Sequence, residues 1–294
     1  MRAVTLGPAG TYSHRAARAV ADEVSFRESV TGIVDAVADG EFERGVVPIE
    51  NSIEGSVTES LDALAGRDVA VVAEIVTPIR HALLAQSEDF SVVASHSQAL
   101  AQCRTYLESE YPNVRLEAVT STARGVERAR QDPSVAGIGH PDNAEPASVA
   151  GEVNAEPANA GEVNADSASA DGELTILAED IQDRSSNATR FLVVAPASER
   201  SEAGGKTSLV VYPNANYPGL LLELLEAFAD RDINLSRIES RPSGDRLGDY
   251  LFHIDFEAGL YEPRAKEALA DVEEIARNGW VRRLGSYDTR HVLY

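Results

Sequence analysis

Along the first two thirds of the chain, short apolar runs end in polar, hydroxyl-rich turns and pass directly into helical patterns. Residues 3–6 run into Gly7-Pro8-Ala9-Gly10-Thr11-Tyr12-Ser13 and a helix beginning near His14. Residues 46–49 deliver Glu50, Asn51 and Ser52, after which Gly55, Ser56 and Thr58 open a helix reaching Leu64. Residues 91–103 again read strand, polar turn, helix, and residues 115–119 followed by Thr120-Ser121-Thr122 repeat the arrangement. Such units build open α/β layers, in which ligands sit at the carboxyl ends of the strands. The first turn lacks the Gly-Lys-Ser/Thr of a phosphate loop, and His14 reads as structural. Residues 69–76 and 80–85 read as consecutive strands carrying the chain to a second lobe.

Two of these turns concentrate neutral hydrogen-bonding groups. Gln98 and Gln102 are four residues apart and share a helix face, with Ser95 expected at the start of that helix. Later in the chain, Asn187-Ala188-Thr189-Arg190-Phe191 places an amide, a hydroxyl and a permanent cation ahead of the buried-strand run Leu192-Val193-Val194. On its own this stretch reads first as a turn whose Asn and Thr satisfy their own backbone and whose arginine faces solvent.

The formal net charge of -22, with lysine only at Lys206 and Lys266, argues against nucleic acid as a partner. The acids are spread along the chain rather than blocked, a pattern resembling cytoplasmic proteins of salt-accumulating halophiles. No window approaches the roughly 20 apolar residues of a membrane span. The first residues enter a strand pattern without a signal-peptide layout, and Cys103 stands alone, so the expected location is cytoplasmic.

Residues 143–172 form a low-complexity stretch in which Gly151-Glu152-Val153-Asn154-Ala155 is repeated as Gly161-Glu162-Val163-Asn164-Ala165. Its length marks it as a duplicated surface insertion. Strand character resumes at 174–177. Residues 197–206 read as a linker, and beyond them the order βαββαβ predicts an antiparallel sheet with two helices on one side.

With these pieces placed, nearly the whole sequence resembles the prephenate dehydratase family. The resemblance rests on the turn at 7–13, Val47-Pro48-Ile49-Glu50-Asn51-Ser52, the run at 95–103 and Asn187-Ala188-Thr189-Arg190-Phe191. Pro218-Gly219-Leu220, Ile233-Asn234-Leu235 and Glu239-Ser240-Arg241-Pro242 extend it into the last domain. It implies a catalytic region (1–196) of two α/β lobes like type II periplasmic binding proteins. Lobe one would span about 1–77 and 174–196, and lobe two about 78–173. An α+β, ferredoxin-like ACT regulatory domain would follow at 207–294.

The implied activity is decarboxylating dehydration of prephenate to phenylpyruvate, with phenylalanine as effector and neither metal nor organic cofactor. Carried over onto this sequence, Thr189 is the expected catalytic group, and Asn51, Ser95, Gln102 and Arg190 the substrate-binding ones. Pro218, Gly219, Leu220, Glu239 and Ser240 are the expected phenylalanine site at an interface between paired ACT domains, implying a homodimer or homotetramer. Arogenate dehydratase and a non-catalytic amino-acid sensor are the alternatives. Ala188, at a variable position often occupied by a larger residue, and the insertion depart from the family pattern.

Overall fold

The structure is a computed structural model describing residues 1–53, 55–145, 172–184, 186–244 and 246–291. Most of the expected insertion therefore lies outside the described residues. Its first member, Asn143, belongs to the folded part: it sits in a short 3-10 turn (Pro141–Ala144), accepts from Arg15 Nη2 (2.7 Å) and donates to the Gly10 carbonyl (3.1 Å).

The elements run β1 (Arg2–Leu6), α1 (Tyr12–Arg18), β2 (Glu23–Arg27), α2 (Val30–Ala38), β3 (Arg44–Asn51), β4 (Gly55–Ser56), α3 (Thr58–Gly66) and β5 (Val69–Pro78). Then come β6 (Ala82–Ala85), β7 (Val92–His96), α4 (Ser97–Gln102), α5 (Arg104–Glu110), β8 (Arg115–Val119), α6 (Thr122–Gln131), β9 (Val135–Gly139), β10 (Thr175–Ala178) and β11 (Ala188–Pro196). The last third holds β12 (Lys206–Tyr212), α7 (Leu220–Ala229), β13 (Leu235–Pro242), β14 (Tyr250–Phe256), α8 (Pro263–Ile275), β15 (Trp280–Tyr287) and β16 (Thr289–His291).

Lobe one is a mixed sheet in the order β16-β5-β11-β3-β1-β2, with β4 paired to β3. Its returning strand β11 runs antiparallel to both neighbours, β3 and β5. Side-chain alternation on β11 sends Phe191 and Val193 to the face packed by α1. Leu192 and Val194 go to the face packed by α2, α3 and the C-terminal domain. Lobe two is the sheet β10-β6-β9-β7-β8. The α6 helix lies close on it because Gly125 faces the Ala94 backbone, where a Cβ would collide with the carbonyl oxygen.

The two crossings between lobes are tied to each other. Ile79 N–H donates to the Asn187 carbonyl (2.8 Å), Ile181 N–H donates to the His81 carbonyl (3.1 Å), and Arg80 Nε donates to Asp180 (2.8 Å).

The C-terminal sheet, β13-β14-β12-β15, is antiparallel throughout. One face carries Leu209, Val211, Ile254 and Phe256 against α7 and α8, as the βαββαβ order predicts. The other face sets Val210, Tyr212 and Leu251 against lobe one. A feature not expected from the sequence is β16, which leaves this domain and pairs parallel with β5, Arg290 opposite Ile75. The expected linker is likewise pinned, with Arg44 on Glu199 (2.7 Å) and Arg200 on Asp68 (2.5 Å).

Candidate active site

A cavity of ≈ 230 Å³ lies between the lobes. Lobe one contributes the start of α1, Pro48, Asn51, Asn187, Thr189 and Phe191; lobe two contributes Gln98, Gln102 and Thr120 to Thr122; Ile79 and His81 come from a crossing.

A β-bulge aims its central pair. Thr189 pairs with Asn51 and Arg190 with Glu50, but Phe191 pairs with Pro48, so Ile49 is an extra residue on β3. Before the bulge, odd-numbered β3 residues Val47 and Ile49 face α2 and α3. The extra residue reverses that alternation. Asn51 thereby reaches the cavity face and donates from Nδ2 to Thr189 Oγ1 at 2.9 Å, while Glu50 turns to the opposite face with Arg190.

The pair continues into lobe two through side-chain amides. Asn51 Nδ2 also approaches Asn187 Oδ1 (3.4 Å), and Asn187 Nδ2 donates to Gln102 Oε1 (2.9 Å). His81 Nε2 meets that same oxygen at 2.9 Å. Burial lowers the His81 pKa despite this bond, so the ring is neutral at pH 7 and donates through Nε2. The amide nitrogens of Gln98 and Gln102 are buried without a protein partner and are available as donors to a ligand. Tyr12 donates its hydroxyl to the Arg80 carbonyl, and burial pushes its pKa up, so it remains a phenol.

Among the described residues, none of the side chains lining the cavity is an acid, a lysine or an arginine. The N-terminal ends of α1, α4 and α6 all border it, and backbone N–H groups at helix N-termini favour negative charge. Thr11 caps α1 by accepting from His14 N–H (3.2 Å), and Ser121 caps α6 by accepting from Arg124 N–H (3.0 Å).

The structure thus brings Thr189, Asn51 and Gln102 together, and two expected members lie elsewhere. Ser95 is fully buried in β7 and donates to the Ile138 carbonyl (2.7 Å), because α4 starts two residues later and His96 occupies its cap. Arg190 alternates away from Thr189 onto the other face of β11, where it meets Glu50, Glu74 and Asp255. Sequence reasoning missed His81 and Tyr12; the only available signal for His81 was its place between two strands that cross lobes.

In the C-terminal domain, Gly219 and Leu220 border a separate ≈ 420 Å³ cavity with Tyr217, Leu221, Tyr250 and Phe252. Pro218 precedes them, and Gly219 has φ +102°, a left-handed conformation that favours glycine. Glu239 and Ser240 lie on β13 outside this lining, and Glu239 accepts from Ser56 Oγ on β4 (3.0 Å).

The family model described as prephenate dehydratase matches residues 3–199, and that of the ACT domain matches residues 215–274. A bifunctional chorismate mutase/prephenate dehydratase of Aquifex aeolicus is 36% identical over 288 residues, covering 96% of this chain and 72% of that protein. A prephenate dehydratase of Amycolatopsis methanolica is also 36% identical, over 294 residues, covering 97% of this chain and 88% of that protein. The crystal structure of prephenate dehydratase from Arthrobacter aurescens in complex with L-Phe superposes with a TM-score of 0.81 at 33% identity, covering 98% of this chain and 90% of that one. By these matches over nearly its whole length, the chain belongs to the prephenate dehydratase family and carries a C-terminal ACT domain.

Proposed function

We propose that this protein converts prephenate to phenylpyruvate, carbon dioxide and water, with Thr189 as the group that meets the departing hydroxide. The observation that carries the reading is the hydrogen-bonded row His81, Gln102, Asn187, Asn51, Thr189 across the interlobe cavity. In the reaction, the bond from the ring to its carboxylate breaks and releases carbon dioxide. Its electron pair enters the ring, and the ring carbon–oxygen bond breaks with its pair leaving on oxygen as hydroxide, which takes up one proton from solvent to become water. Aromatisation drives the step, so the protein's task is to hold a dianion and assist the leaving oxygen. Asn51 donates to Thr189 Oγ1, which leaves the threonine O–H as the part offered to the departing oxygen. Amide donors from Gln98 and Gln102 join the helix N-terminal backbone groups in compensating the carboxylates, where the sequence pointed to Arg190 together with helix N-termini.

The choice of prephenate over arogenate rests on the absence of acids from the described cavity lining, which leaves an arogenate ammonium unpaired. An unpaired buried charge costs about 1–3 kcal/mol or more, so kcat/KM for prephenate is expected to exceed that for arogenate roughly 10- to 100-fold. Parallel assays of both substrates in molar potassium chloride check this. Equal rates would remove the substrate assignment, and no product from either would favour a binding protein.

For the ACT domain we propose phenylalanine as effector, bound near Pro218, Gly219 and Leu220, with Glu239 and Ser240 completing the site where a second copy docks. The exposed apolar side chains Leu221, Leu222 and Tyr250 around that cavity support a paired assembly, a homodimer or homotetramer. Titration calorimetry is expected to show saturable phenylalanine binding that Gly219→Val abolishes, since valine resists φ +102°. Retained binding in the variant would refute this placement. A cytoplasmic location and adaptation to high salt complete the reading, supported by the dispersed acidity of the sequence.

A further inference from the structure

On the face of β11 opposite the cavity, three cations and three carboxylates gather where lobe one meets the C-terminal sheet, with Glu74 and Asp255 buried and Glu50 at the partly exposed edge. Arg190 reaches Asp255 through Nη2 (2.7 Å), Glu74 through Nη1 (3.1 Å) and Glu50 through Nε (3.5 Å). Asp255 belongs to β14, is fully buried, and also receives Arg237 Nε (2.8 Å) and Ser208 Oγ (2.6 Å). Lys206 of β12 donates to Glu74 (2.8 Å), as does Thr289 of β16 (3.0 Å). Every group but Arg190, Glu50 and Glu74 is supplied from beyond residue 200. Arg190 and Glu50 are also the immediate chain neighbours of Thr189 and Asn51, and the bulge fixes both pairs at once, one on each face.

We propose that Arg190 is a positioning residue: clamped by Asp255 of the C-terminal domain, it holds β11 and β3 so that Asn51 and Thr189 keep their hydrogen bond. The C-terminal domain is then a working part of the active site and not only an effector module. A guanidinium suits this task because its rigid fork engages several carboxylates in fixed directions, whereas an ammonium is a single mobile point. A shift of the strand by a fraction of an ångström separates two groups 2.9 Å apart, and misplacements of about 1 Å can cost on the order of a hundredfold in rate. A second tie runs in parallel: Glu239 of β13 holds Ser56 of β4, and β4 pairs directly with Glu50 and Asn51.

The consequence for catalysis rests on the prephenate reading above. The full-length protein in molar potassium chloride is compared with Asp255→Asn, Arg190→Gln and Arg190→Lys, measuring kcat and KM separately and hydrogen exchange across 187–194. For Asp255→Asn and Arg190→Gln, kcat is expected to fall about tenfold or more with KM within about twofold, and exchange at 187–194 to accelerate. Arg190→Lys should recover part of the loss. Folded variants that keep kcat within twofold and native exchange would overturn the proposal, even if their melting temperatures drop. Should the buried substitutions prevent folding, Glu50→Gln decides in their place, since that carboxylate is partly exposed. It is expected to lower kcat at least about threefold with KM held, and wild-type values would overturn the proposal. Absence of turnover in the wild-type protein would sink the prephenate reading alone, because the exchange comparison still decides whether Asp255 holds β11.

Discussion

Replacing Thr189 with valine is expected to lower kcat for prephenate by about 10²–10³ while KM changes little and the fold persists. The side chains have nearly the same shape, so valine preserves the strand geometry of β11 and the packing around half-buried Thr189. What it removes is the hydroxyl to which Asn51 donates and whose proton faces the departing oxygen. An interaction used mainly as charge develops on the leaving group affects kcat and kcat/KM together, which separates this role from uniform substrate binding. A serine variant restores the hydroxyl but loses the β-branch that limits its rotamers, so it should recover most of the activity. Steady-state kinetics on all three proteins, with circular dichroism to establish folding, test the assignment. If the valine variant keeps turnover within a few-fold of wild type, the leaving oxygen meets some other donor.

The fold was legible in the sequence wherever an element announces itself through local pattern. Apolar runs broken by hydroxyl-rich turns located β1, β3, β7 and β8 with the helices that follow them, because caps and strand periodicity are properties of a few neighbouring residues. The pairing of β16 with β5 carries no such signature: three exposed residues far along the chain complete the edge of a sheet that begins at the other end. For the site, residue type found Thr189, Asn51 and Gln102 but could not say which way a strand residue points. Arg190 sits next to Thr189 in sequence and therefore on the opposite face in space. Asn51 reaches the cavity only because Ile49 is bulged, an irregularity set by tertiary pairing with β11. Ser95 was misplaced by a two-residue error in the helix start, enough to turn its hydroxyl from the cavity to the sheet core.

Acidification from pH 7 to pH 4 is expected to unfold the protein through its buried histidines. His253 is fully buried on the face of β14 toward lobe one, with neither ring nitrogen hydrogen-bonded; burial, aided by nearby Arg237, holds its pKa down at about 3. Burial likewise lowers His140 to about 4, with Arg15 adding to the effect, and its Nδ1 accepts from Asp142 N–H (3.2 Å). His81 in the active site is shifted in the same direction by burial. The folded state therefore resists protons that the unfolded chain accepts below pH about 6.5. The stabilisation is complete above that pH and is lost as pH falls toward the folded-state values. Each proton taken up preferentially by the unfolded chain costs about 1.4 kcal/mol per pH unit, so His253 and His140 together remove roughly 5–7 kcal/mol by pH 4, comparable to the net stability of many domains. Protonation of surface carboxylates relieves self-repulsion in the opposite sense, but those charges are exposed and strongly screened in molar salt, whereas the histidines are buried. Urea unfolding in molar potassium chloride at pH 7, 6 and 5 measures the slope directly. His253→Leu removes the titrating group from the same buried position and should flatten that slope by nearly one proton. Equal stability at pH 7 and pH 5, or a slope unchanged by the substitution, would mean that these rings are protonated at no cost inside the folded protein.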